Sequence, residues 1–190
     1  MKKIIYSFFL IILSLSIFII IYLSTVGFET AKFNNIIING IKKKEPNIKI
    51  SLDKIKIKFD LEKIQLYFTT VEPKIIYQDI RIPITEINIY SKISSILKSK
   101  NEINRTIVKL QNFKTDDIQK LAIRIKPSNF KTYLLNNINK GKIEKILIDV
   151  DFDKDLNVTN FKVNGSAKKI NIKIFDDLLI QDVNFNFISD

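Results

Sequence analysis

From Ile4 to Val26 the chain is one uncharged, overwhelmingly apolar run behind Met1-Lys2-Lys3, whereas from Phe28 onward charged residues appear and alternation takes over. The first pattern predicts a membrane-spanning helix. About 20 apolar residues cover the hydrocarbon layer, and Ile4 to Leu23 supply that length with only Tyr6, Ser7, Ser14, Ser16 and Tyr22 bearing hydroxyls. A secretory apolar region is shorter, about 7 to 15 residues, and ends in small residues at a cleavage site. Leu23-Ser24-Thr25-Val26-Gly27-Phe28 has no Ala-x-Ala pattern, which favours an uncleaved anchor over 1–27 above a long cleaved signal or a buried helix. Lys2 and Lys3 precede the span and Glu29 comes before Lys32 after it, so the positive-inside bias places the N-terminus in the cytoplasm. Lys42-Lys43-Lys44 opposes that bias, although long domains translocate largely regardless of charge. The expectation is a single-pass inner-membrane protein whose main domain, 28–190, is periplasmic in a Gram-negative cell.

Ile48, Ile50 and Leu52 share one parity, and after Asp53-Lys54 the alternation resumes on the other parity at Ile55, Ile57, Phe59 and Leu61. A period of two with lysines interleaved gives a strand with one apolar and one wet face. The parity change predicts a bulge or strand break, because a one-residue slip flips every side chain. Ile64, Leu66 and Phe68 continue the theme, then Ile80, Ile82 and Ile84, then Ile87 and Ile89. Pro73 and Pro83 mark edges or interruptions.

Two segments carry helical spacing: Ser91 to Lys100, with Ile93, Ile96 and Leu97, and Ser128 to Asn139, with Phe130, Tyr133, Leu134 and Ile138 between Pro127 and a closing Gly141. Between them Asn104 to Phe113 reads as a strand with Ile107 and Leu110 inward. Four further strands are expected over 142–152, 157–163, 168–174 and 179–188. In them Ile146, Ile148, Val150 and Phe152, then Phe161 and Val163, then Val183, Phe185 and Phe187 alternate with polar residues. Asp153-Lys154-Asp155 and Asn164-Gly165-Ser166 read as turns, so consecutive strands should form an antiparallel meander. The fold class is therefore mainly β with two short helices, an N-terminal transmembrane helix and an antiparallel sheet.

Composition narrows the chemistry. There is no His and no Cys, which removes the imidazole base, thiolate nucleophiles, disulfides and thiolate metal sites. Asp149, Asp151, Asp153 and Asp155 form an acidic run, but strand spacing puts the first two opposite Ile148 and Val150 on a solvated face. A calcium loop would need glycine where Lys154 stands and glutamate where Asn160 stands. The four glycines are isolated, so no phosphate loop exists. Sequons at Asn104, Asn157 and Asn164 matter only in a eukaryotic secretory route. No catalytic residue, metal or cofactor is expected. The net charge of +11, or +9 without Lys2 and Lys3, suits attraction to anionic head groups, and an exported domain meets no nucleic acid. Abundant Ile, Lys and Asn are also what an AT-rich genome produces.

Taken in order, the anchor leading into Gly27-Phe28-Glu29-Thr30, the strand region Asn47 to Phe59, the strand-helix-strand unit Ile84 to Phe113 with Ser94-Ser95-Ile96-Leu97, the strand opening Gly141-Lys142-Ile143-Glu144, and Val158 to Gly165 resemble the N-terminal portion of an AsmA-like protein, the TamB-type envelope group. The resemblance implies a curled β-groove that carries lipid, with a role in outer-membrane biogenesis. Its groove candidates are Ile48, Ile50, Leu52, Ile146, Ile148, Val150, Phe152, Phe161, Val163, Val183, Phe185 and Phe187. About ten strands at roughly 4.8 Å give a groove of only about 50 Å, shorter than family conduits, so the sheet is expected to continue or pair beyond 190. The implied partners are phospholipid, the inner membrane, and an envelope protein or second copy at an edge strand. Alternation by itself fits an ordinary core under the two helices equally well. The alternative function is a non-enzymatic envelope scaffold that receives a partner strand at its open edge.

Overall fold

The computed structural model describes residues 2–32, 34–91, 103–124, 129–175 and 178–189. The apolar run forms helix α1 (Lys2–Thr25), exposed up to Tyr22, with Leu23 and Ser24 half-buried at its end, and long and apolar enough to cross a membrane. Within it Ser16, Ser24 and Thr25 donate their hydroxyls to the carbonyls of Ile12, Ile20 and Ile21, one turn back, so these polar groups need no water. The helix stops because Gly27 adopts φ +79° while the amides of Val26 and Gly27 both bond Tyr22 O. The stem of Lys58 lies where a Cβ at Gly27 would stand. That close approach seats the end of α1 on the sheet.

Beyond the anchor, strands β1 (Phe28–Thr30), β3 (Ile55–Asp60), β4 (Gln65–Val71), β7 (Ile84–Ser91), β8 (Ile103–Lys114), β9 (Ile138–Phe152), β10 (Val158–Phe175) and β11 (Leu178–Ser189) form one sheet in the order β1-β3-β4-β7-β8-β9-β10-β11. Every pairing is antiparallel and the sheet is open. A second sheet, β2-β5-β6, is made by β2 (Ile48–Ser51), β5 (Lys74–Tyr77) and β6 (Ile80–Ile82). Gln78 and Asp79, both with positive φ, make the two-residue turn between β5 and β6.

The parity change at Asp53-Lys54 is the point where the chain leaves one sheet for the other. Helix α2 (Asn34–Lys44), an element beyond the two short helices expected, braces this step: Asn34 Nδ2 donates to Leu52 O at 3.0 Å and Asp53 O at 2.8 Å. Ile50, Leu52, Ile55 and Ile75 form the buried core between the sheets, with Ile37, Ile38, Ile41, Ile48, Phe68 and Ile87 packed around them. Ile55 has 0 % exposure. Pro73 and Pro83 separate strands, as expected, and Pro83 splits the Ile80 to Ile84 alternation into β6 and β7.

Helices α3 (Thr115–Arg124) and α4 (Asn129–Asn137) lie between β8 and β9. Helix α4 is the expected second helix, shortened; Pro127 and Ser128 lie outside the described residues, as does the expected helix within 92–100. Gly141 does not close α4. It sits within β9 at φ +129°, where Ile170 leaves no room for a side chain. Nor do Asn164-Gly165-Ser166 turn: β10 runs straight through them, and the Phe187 ring lies over Gly165, 2.1 Å from where a Cβ would be built. Bulges interrupt β10 and β11 near Lys169 and Asp182, both at positive φ. The amides freed there bond Asn184 Oδ1 and Asn171 Oδ1, and such bulges bend a strand and increase its twist.

Candidate functional site

Strand register sorts the large sheet into two chemically distinct faces. On one, direct partners run Phe28, Ile57, Phe68, Ile89, Thr106, Val150, Phe161, a row crossing seven strands from the end of α1. The next row runs Thr30, Ile55, Thr70, Ile87, Val108, Ile148, Val163. A third joins Leu110, Ile146, Gly165 and Phe187. Because partners in direct register point the same way, the face is a predominantly apolar surface interrupted by Thr30, Thr70 and Thr106.

Its cover is uneven. The small sheet and α2 pack over the segment containing Ile55, Phe68 and Ile87. Along the first row the exposure rises toward β10, with Phe161 at 46 %, and Phe185 on β11 is 39 % exposed, whereas Leu110 of the third row and Ala167, the ladder partner of Phe185, are buried. Ile146, Ile148, Val150, Phe152, Val163 and Phe187 are half-buried, and the Phe185 and Phe187 rings stand 6.3 Å apart. Phe28, at the membrane end of the row, is 55 % exposed.

The groove candidates therefore divide. Ile146, Ile148, Val150, Phe161, Val163, Phe185 and Phe187 share the apolar face of β9 to β11, with Phe152 at its hairpin end. Ile48, Ile50 and Leu52 do not belong with them: Ile50 and Leu52 are buried in the core between sheets, and Ile48 packs against it. The parity change that separates them from Ile55 moved them to the second sheet. Val183 pairs with buried Ile170 beyond the bulges rather than with the open rows. Ile107, expected inward with Leu110, has the opposite parity and pairs with Asp149 on the polar face; Val108 takes its place.

The polar face is also ordered. Arg105 grips Asp149 with two hydrogen bonds, Nε to Oδ1 at 2.7 Å and Nη2 to Oδ2, and its Nε lies 3.8 Å from Asp151 Oδ1. Its guanidinium stands 5.9 Å from the ring of buried Tyr90, which stacks on Tyr67 with centroids 5.0 Å apart. The Arg105 hydrogen bond holds the Asp149 carboxyl below its ordinary range, and the same bond raises Arg105. The Asp149 side chain, at 17 % exposure, is thus a paired group rather than the solvated one the alternation suggested. Asp153 organises the β9–β10 turn by accepting from the amides of Asp155 and Asn157 and from Asn157 Nδ2, which lowers its carboxyl as well. Among the described residues no three Asp or Glu side chains converge to hold a metal ion.

No protein-family model, curated protein or solved structure matches this chain. Function must then be argued from the two faces and the helix.

Proposed function

We propose that the chain is a membrane-anchored lipid-binding or lipid-transfer module of the AsmA-like type, held in the inner membrane by α1 with residues 28–190 in the periplasm and serving outer-membrane biogenesis. The observation that carries this reading is the registered apolar row from Phe28, next to the end of α1, to Phe161, open where it leaves the cover of the small sheet. Apolar surface in water costs roughly 25 cal/mol per Å², and a contiguous open stretch of it marks an interaction site. An acyl chain lying along the row removes that surface from water while its head group stays at the rim. Eight strands span about 34 Å at roughly 4.8 Å per step, so the sheet works as one segment of a path or as a shuttle.

Val150→Asp tests the reading, because Val150 lies mid-row and is half-buried. A carboxylate there keeps contact with water if the face is open, so the fold survives and bound lipid is lost. In a closed core the same charge would be buried unpaired and the domain would unfold. The expected outcome is a thermal midpoint near the parent's, with phospholipid gone from the purified protein by mass spectrometry. Loss of the cooperative transition would refute the open face.

The second reading, a scaffold that receives a partner strand, draws support from β11. This outer strand has one charged residue, Asp182, and exposed Leu178, Leu179, Ile180 and Ile188, without the lysines or prolines that blunt free edges.

A further inference from the structure

The polar face carries a depression of its own, about 480 Å³ in volume, across β8 to β11. Its central row is Lys109, Leu147, Asn164 and Ile188, direct partners on four successive strands, with Lys145 and Lys162 two residues away along β9 and β10. Among the described residues no carboxylate lines it. The nearby acids are taken: Glu86 pairs with Lys109 at 2.8 Å, Glu144 with Lys168 at 2.9 Å, and Asp149 with Arg105. Asp149 is also the ladder partner of Lys162. That leaves Lys145 and Lys162 in no ion pair among the described residues, beside Asn164, whose side-chain carbonyl oxygen is buried as an acceptor without a hydrogen-bond partner. Leu147 and Ile188 add an apolar wall between these donors.

We propose that this depression binds a small, hydroxyl-bearing phosphate ester. The phosphate accepts hydrogen bonds from Lys145, Lys162 and the Asn164 amide, and its carbon skeleton rests on Leu147 and Ile188. An ammonium is a point-charge phosphate binder, and Lys145 and Lys162, which feel Glu144 and Asp149 only through space, break no salt bridge among the described residues when the anion arrives. Glycerol phosphate has this chemistry, whether as a lipid head group or as a free molecule. The apolar row Leu110, Ile146, Gly165 and Phe187 also borders the depression, but Lys109, Leu147, Asn164 and Ile188 alternate with it along their strands and so point to the other face, and the site stands whether or not the apolar rows carry acyl chains.

The test uses the full chain in phosphatidylcholine nanodiscs, titrated calorimetrically with glycerol 3-phosphate. Saturable binding is expected, weakened about tenfold or more in Lys145→Ala/Lys162→Ala, because charge-assisted hydrogen bonds are lost. Lys74→Ala, an exposed lysine in the small sheet, should bind like the parent. Lys145→Gln/Lys162→Gln, which keeps the stems, should weaken binding equally, and thermal melts of all variants verify folding. No saturable binding, a double variant that binds like the parent, or an equal loss in Lys74→Ala would overturn the site. Phosphatidylglycerol in the discs then identifies the source: competition with the soluble probe assigns a lipid head group, and undiminished probe binding assigns a free phosphate ester.

Discussion

Asp149 shows how a strand residue acquires a role that its neighbours in sequence do not reveal. Alternation correctly places it opposite Ile148 and Val150, yet its partner Arg105 is 44 residues away and meets it only because β8 and β9 pair in this register. Its folded pKa lies below the unfolded value of about 3.9, so the stabilisation is fully present above that value and is lost as pH falls through the folded pKa. Asp149→Asn should cost about 2 kcal/mol near neutral pH, leaving Arg105 with only the longer contact to Asp151. The gap to the parent should narrow as pH drops below about 4. Urea melts at neutral and acid pH measure both numbers, and identical midpoints at neutral pH would show that the pair contributes nothing. Gly165 teaches the same lesson about context. Asn-Gly is a turn signal, but here the glycine makes room for the Phe187 ring, and the unbroken parity of Phe161, Val163 and Gly165 was the sign of a continuing strand.

Among the elements, α1 was the most legible, since length and uniform apolarity suffice to define it. It also carries a prediction: arginines at Ile12 and Leu13 raise the cost of insertion by about 5 to 7 kcal/mol. The double variant should leave the membrane pellet on alkaline extraction. Retention equal to the parent's would mean that α1 is not the anchor. Helix α3 was missed despite Thr115 followed by Asp116 and Asp117, an N-cap residue and two acids that favour a helix N-terminus. Helix α2 hides its signal differently: Ile37, Ile38 and Ile41 have helical spacing, but the isoleucines of this segment also favour strands. Strands β2 and β3 were read correctly as alternating and separated by a break. That the break leads to a different sheet depends on Asn34 and the core around Ile55, contacts that local periodicity does not encode.

At the scale of the molecule, the antiparallel meander and the single apolar face were legible because alternation survives in every long strand. The division of that face into a roofed part and an open part was not, since it depends on where the small sheet, α2 and the helices α3 and α4 settle against the strands. Ile50 and Val150 look alike in sequence, each an aliphatic residue in an alternating strand, yet Ile50 is 8 % exposed in the core and Val150 lies half-buried toward the exposed end of its row. The division underlies the proposed function, in which the roofed part supplies stability and lipid binds the open part. Site-specific photocrosslinking in cells tests it most directly, with probes at Val150 and Phe185 on the apolar face and at Asn160 on the polar side of β10 as the control. Phospholipid adducts at Val150 and Phe185, with none at Asn160, are the predicted result; no lipid adduct at either apolar position, in protein that is folded and membrane-inserted, would contradict the account.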